Sequence, residues 1–250
     1  MANNPLPDFV YVFKNSVIDG EDLKYSLRSL QNVPHGKVFV IGDKPSWLSD
    51  RCVYVSIPQR DDRPKFENSE ENLRAACSDR RLSDNFVLMN DDFFIMKKID
   101  FVPTLHRGLV TNVVAEYKSK HIDAPKYTND MLLQKKQLEE LNIKNILSYE
   151  LHAPMPLNKN KYLEMIYKIK IIPSQRRTAY GNYYHLGGEL IKDVKIYPDN
   201  SPRNPADFIN NPDKYLRTHV FLSATNESFR SGLVGGYIKN QLDRKSAYEK

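Results

Sequence analysis

The sequence predicts an α/β fold, a mixed, mostly parallel sheet with helices on both faces. Three observations carry this reading. Short runs rich in Val, Ile, Tyr and Phe recur along the first hundred residues, helical patterns fall between them, and 250 residues with 40% hydrophobic content can bury one substantial core. A single domain with elaborations is therefore expected.

Residues 8–13 suit a first buried strand, and residues 22–30 place Leu23, Leu27 and Leu30 on one helical face. Residues 37–42 read as a second strand closing at a Gly42-Asp43 turn, 53–57 as a third, and 70–79 as a second helix. Residues 86–89, Phe-Val-Leu-Met, form the fourth strand, apolar without interruption as in a sheet covered on both faces. In such sheets ligands gather at the carboxyl ends of the strands, which here carry Gly42-Asp43 and Asn90-Asp91-Asp92. Beyond residue 101 the pattern loosens. Residues 110–115 read as a strand, 129–141 as a charged amphipathic helix, and 159–172 as a helical segment ended by Pro173. Residues 180–188 are polar, aromatic and Gly-rich, suiting a flexible loop that stacks on a sugar or base, and residues 198–212, crowded with Pro, Asn and Asp, read as an irregular loop.

A balance of 37 Lys+Arg against 31 Asp+Glu gives a formal charge of +6, which favours an anionic partner: a nucleotide, a phosphorylated glycan or nucleic acid. The basic residues are interleaved with acids, as in Lys135-Lys136-Gln137-Leu138-Glu139-Glu140, which weighs against a plain nucleic-acid-binding module. Two cysteines, Cys52 and Cys77, are too few for a disulfide scaffold or a Cys-based zinc site and are read as reduced. The N-terminus lacks a basic region followed by an apolar core, and no apolar run approaches the ~20 residues that span a bilayer. A cytoplasmic protein without a membrane span is expected.

The most chemically pointed segment is residues 86–96, where Asp91 and Asp92 sit between two apolar runs at the end of a strand. Buried acids are expensive unless a metal or hydrogen-bond donors compensate them, and hard oxygen ligands of this kind suit Mg²⁺ or Mn²⁺ bridging to phosphate. Turn chemistry favours the same residue types, so the pair reads equally as a cap. His152 stands in Leu-His-Ala-Pro, where Pro154 and Pro156 forbid regular helix, and projects from a loop as a metal ligand, a base or a structural residue. The other histidines have no metal-ligand spacing.

Residues 22–30 and 37–48, then Phe66-Glu67-Asn68-Ser69, then 82–94 with Asn90-Asp91-Asp92, resemble in order and spacing the core of the Stealth family of sugar-phosphate transferases. Leu151-His152-Ala153-Pro154 followed by Arg176-Arg177 resembles that family's later His-and-Arg region, and residues 223–229 its final one more weakly. The chain departs at its first strand, where Val10-Tyr11-Val12-Phe13 runs into Lys14-Asn15-Ser16 in place of a Trp-Val-Asp-Gly type signature. Its later regions look more like compact glycosyltransferase-like proteins encoded by bacteriophages and surface-glycan clusters.

The resemblance implies a GT-A-like nucleotide-sugar-binding fold, with residues 1–115 as the nucleotide-sugar-binding core and 116–250 as an acceptor-side elaboration. It implies a metal-dependent glycosyltransferase using a nucleotide-sugar donor, a UDP-sugar by expectation, and Mg²⁺ or Mn²⁺ held by Asp91 and Asp92. Asp92, Arg28, His152 and Arg177 are the expected catalytic residues. Asp43, Asn68, Asn90 and Arg176 are the expected cofactor-binding residues. The acceptor is a glycan or a hydroxymethylated base in phage DNA, reached in the host cytoplasm. A sugar-1-phosphate transferase and a non-catalytic nucleic-acid-binding module are the alternatives.

Overall fold

The computed structural model describes residues 5–15 and 19–250. The leader reading of residues 1–4 and the departure at Ser16 lie outside the described residues. In chain order the first part contains β1 (Asp8–Phe13), α1 (Glu21–Ser29), β2 (Val38–Gly42), β3 (Val53–Ser56), α2 (Lys65–Ser78), β4 (Asn85–Asn90), β5 (Phe93–Ile95) and β6 (Leu105–His106). There follow α3 (Val110–Ser119), α4 (Pro125–Glu140), β7 (Met155–Asn158), α5 (Lys159–Lys168), α6 (Arg176–Tyr183), β8 (Glu189–Leu190) and β9 (Lys195–Ile196). The chain then forms α7 (Ala206–Asn210), α8 (Pro212–Thr218), β10 (Phe221–Ala224), α9 (Asn226–Ser231) and α10 (Leu233–Gln241).

The main sheet has the order β3-β2-β1-β4-β7. Its first four strands are parallel, and β7 closes the edge antiparallel to β4. This is a mixed, mostly parallel sheet flanked by helices. The two-residue period of a strand divides β1 between two cores. Val10 and Val12 pack with Leu73, Ala76 and Cys77 of α2, while Phe9, Tyr11 and Phe13 pack with Leu23 and Leu27 of α1. Each buried Val, Leu or Phe among them contributes roughly 1.5–3 kcal/mol relative to exposure. A three-stranded sheet, β5-β10-β9, packs through Phe94, Leu222 and Ile196 against α8, α9 and α10. Both cysteines are buried and free.

Four local expectations need correction. Residues 110–115 are not a strand but the start of α3, because Val110, Val113 and Val114 are spaced for one helical face and are buried together. Residues 180–183 belong to α6 rather than to a loop, and Gly181 is needed there because a Cβ would stand 2.4 Å from the Tyr149 ring. Within 198–212, α7 forms after Pro205 and α8 starts at Pro212, each proline sitting at a helix start, where its missing N–H costs nothing. Helix α2 also begins at Lys65, directly after Pro64 and ahead of the expected residue 70.

Pairing of Phe13 with Gly42 and of Val12 with Asn90 brings the carboxyl ends of β1, β2 and β4 to one edge. Gly42 has φ +119°, and a Cβ on it would meet the Phe13 carbonyl oxygen at 2.0 Å, so only glycine lets the chain leave β2 so close to β1. Among the described residues no helix is long and apolar enough to cross a membrane.

Candidate functional site

Asp91 and Asp92 follow the last residue of β4 and turn the chain into β5. Opposite them lies Asp22, a buried acid in the first turn of α1, whose Oδ1 accepts from the Leu23 N–H at 2.9 Å. The helix is pinned there from its own middle, since the Ser26 hydroxyl donates to the Phe93 carbonyl, one residue past Asp92. Lys195 of β9 enters from the other side and forms an ion pair with Asp92, to which Ser223 also donates at 3.3 Å.

The charges of this group are uneven. Burial and the neighbouring charges of Asp22 and Asp92 push the Asp91 carboxyl well above its ordinary range. Asp22 is raised for the same reasons, burial first and then Asp92. Asp92 moves the other way, because Lys195 and His152 outweigh its burial. Asp91 and Asp22 are thus held against their own charge, while Asp92 takes the close ammonium of Lys195.

A second group borders the first. His152 donates or accepts through Nδ1 at 2.9 Å from Asp193 Oδ2, and its backbone N–H donates to Asp193 Oδ1 at 3.2 Å. Arg107 approaches the same carboxylate at 3.4 Å. Burial opposes ionisation of Asp193, but His152 and Arg107 hold it below the usual carboxylate range. An ionised carboxylate only accepts, so the Nδ1 proton belongs to His152 and leaves Nε2 facing away from Asp193.

Arg177 is buried, donates to the Leu151 and Ala153 carbonyls at 2.8 and 3.0 Å and to Asn90 Oδ1 at 3.2 Å, and stacks on Phe93 at 5.0 Å. Burial lowers its pKa to about 10, with Glu150 opposing that shift. Glu150 in turn accepts from the Arg177 and Thr178 backbone N–H groups at 3.0 and 3.1 Å, capping the start of α6.

The structure therefore brings Asn90, Asp91, Asp92, His152 and Arg177 together at the carboxyl edge, with Arg176 beside them, donating to Ser69 Oγ at 2.6 Å. Three expected residues stand elsewhere. Arg28 makes a two-point ion pair with Glu249 at 2.8 and 2.9 Å and donates to the Leu242 and Asp243 carbonyls, six residues or about 9 Å along α1 from Asp22. It is an anchor for the C-terminal segment. Asp43 accepts the Asn15 backbone N–H at 2.7 Å, and Asn68 clamps the Arg60 backbone through its N–H and carbonyl at 3.1 and 2.8 Å. Both shape loops rather than face the acids.

Sequence reasoning missed Asp22, Asp193 and Lys195 as members of the site. The last two carried a signal, for Lys192-Asp193-Val194-Lys195-Ile196 sets Asp193 and Lys195 on one strand face opposite buried Val194 and Ile196.

Two cavities meet at Asn90. One of about 470 Å³ is lined by Lys14, Asp22, Gln59, Asp91, Asp92 and Lys195. The other, about 570 Å³, is lined by Phe66, Phe93, Tyr127, His152, Arg176 and Arg177, and Lys65 and Ser69 border both. Among the described residues no group of three or more His, Cys, Asp or Glu is arranged to hold a metal ion. A Mg²⁺ ion, however, is commonly held by one or two carboxylates plus substrate phosphates and water. Asp91 and Asp92 offer such a donor set, and the excess of carboxyl groups over ammonium at this spot fits a divalent cation. No family model matches the sequence, and no curated protein matches it.

Proposed function

We propose that this chain is a metal-dependent glycosyltransferase with a GT-A-like fold, moving a sugar from a nucleotide-sugar donor, with UDP-sugars the first to test, to a hydroxyl acceptor. The observation that carries the reading is the meeting of two cavities at Asn90, one holding the acids and Lys195, the other holding His152 and Arg177. The resemblance of residues 22–94 to sugar-phosphate transferases supports the same assignment.

In this reading the donor diphosphate lies in the cavity with Asp91 and Asp92, where Mg²⁺ or Mn²⁺ supplies charge stabilisation for the departing diphosphate. Lys195 and Lys14 add fixed positive charge there. The acceptor occupies the cavity with His152, whose Nε2 takes the proton of the attacking hydroxyl while Asp193 holds the imidazolium that forms. Arg177 keeps Asn90 and the Leu151–Ala153 loop in register, so that base and donor face each other. Phe66, Phe93 and Tyr127, with Lys65 and Arg176 nearby, suit a planar acceptor next to phosphate, which makes a hydroxymethylated DNA base one acceptor to test beside glycans.

The test is product analysis with labelled nucleotide sugars and Mn²⁺. Release of nucleoside diphosphate is expected. Release of nucleoside monophosphate indicates sugar-1-phosphate transfer instead, and release of neither, with salt-sensitive DNA binding, indicates a binding module.

A further inference from the structure

A third cavity, about 570 Å³, lies behind β9 and is lined by Arg107, Lys120, Lys192, Lys195 and Arg203 against only two carboxylates, Glu116 and Asp193. We propose that it is a second anion site, which binds the phosphate group of a phosphorylated ligand. Its cations are held in a way that leaves them free to take an anion. Arg203 stacks on Tyr197 at 4.0 Å and donates to the Tyr197 hydroxyl at 2.9 Å, rather than to a carboxylate. Arg107 lies over Tyr117 at 5.7 Å and is held loosely by two acids, at 3.4 and 3.6 Å. A guanidinium set on an aromatic face has already lost its rotamer freedom, while its remaining N–H groups stay available for a two-point contact with phosphate. Lys120 and Lys192 are exposed at the rim and reach Glu116 and Asp207, at 2.7 and 3.1 Å, so their ammonium groups can turn to a stronger anion at little cost.

The position of the cavity gives it consequence. Its wall includes Asp193 and Lys195, the residues that hold His152 and Asp92. A phosphate bound there faces the back of the candidate centre, and it has two chemical sources: a phosphate carried by the acceptor itself, or a free phosphorylated ligand.

The experiment is calorimetric titration of the full chain with inorganic phosphate, comparing wild type with Arg203→Ala/Lys120→Ala. Both substituted side chains are exposed, so the variant folds, as its melting curve will verify. Phosphate affinity is expected to fall by at least about tenfold in the variant, with Lys14→Ala, which lines the donor cavity and not this one, retaining the wild-type value as a control. Equal phosphate affinity in wild type and the double variant overturns the proposal. A second arm, which rests on the transferase reading above, compares acceptors with and without a phosphate. Selective loss of transfer to the phosphorylated acceptor assigns the site to the acceptor. Loss only of an effect of added phosphate assigns it to a free ligand. If no nucleotide sugar is consumed at all, the transferase reading fails while the titration still decides the site.

Discussion

Replacing Asp193 by Asn keeps the shape of the side chain and removes its charge, which isolates what the carboxylate does for His152. The carboxylate lies 2.9 and 3.1 Å from Nδ1 and accepts the His152 backbone N–H at 3.2 Å. A hydrogen bond to a charged group contributes about 1.5–3 kcal/mol, and each 1.36 kcal/mol is tenfold in rate, so loss of one such bond at the transition state predicts a fall of roughly 10- to 150-fold in the maximal transfer rate. Donor affinity should stay near wild type, because the donor cavity lacks Asp193. Nitrogen NMR of His152 provides a readout independent of turnover: the Nδ1-protonated ring should dominate in wild type and lose that dominance in the variant. Stability supplies a further check with a definite sign. Asp193 is held below its ordinary value of 3.8, so its contribution is present above that pH and is lost as pH falls below it. The gap in stability between wild type and Asp193→Asn should therefore be widest at neutral pH and close in acid. An unchanged transfer rate and an unchanged His152 tautomer would falsify the positioning role.

Asp92→Asn leaves the buried Lys195 without its partner and should cost about 3 kcal/mol in chemical denaturation along with turnover, with Lys195→Met restoring stability but not activity. Asp91→Asn should do the reverse to stability: its carboxyl is raised above 3.8 by burial and by Asp22 and Asp92, so the charge penalty grows above that pH, and the variant should melt higher than wild type at pH 7 and alike below pH 3.8. Arg28→Ala breaks the pair with Glu249 and should lower stability by about 3 kcal/mol while leaving the transfer rate within about twofold; a large loss of turnover in a folded variant would return Arg28 to the active centre. Gly181→Ala gains up to about 1 kcal/mol of helix propensity, yet its methyl collides with Tyr149, so thermal melting should show a net loss of about 1–2 kcal/mol.

What the sequence determined by itself was the parallel half of the fold and the place of the acids. Apolar runs such as Phe86–Met89 can only be satisfied inside a covered sheet, and a strand that ends in Asn90-Asp91-Asp92 must deliver those side chains to its carboxyl edge. Helix α1 was equally legible, because Leu23, Leu27 and Leu30 repeat at helical spacing, a local property of the chain. Identity of partners was not local. Arg28 and Glu249 lie 221 positions apart, Asp92 and Lys195 lie 103 apart, and His152 and Asp193 lie 41 apart, so no window of sequence contains both members. The same limit explains 110–115 and 180–188, whose composition suits strand and loop. Their conformation is decided by what they pack against: Val110, Val113 and Val114 against the sheet's α2 side, and Gly181 against Tyr149. Burial also decides the chemistry. Asp91 and Asp92 are identical neighbours in sequence, and their carboxyl groups shift in opposite directions because Asp92 meets the Lys195 ammonium of β9 directly, with His152 beside it, while burial and two neighbouring acids dominate at Asp91.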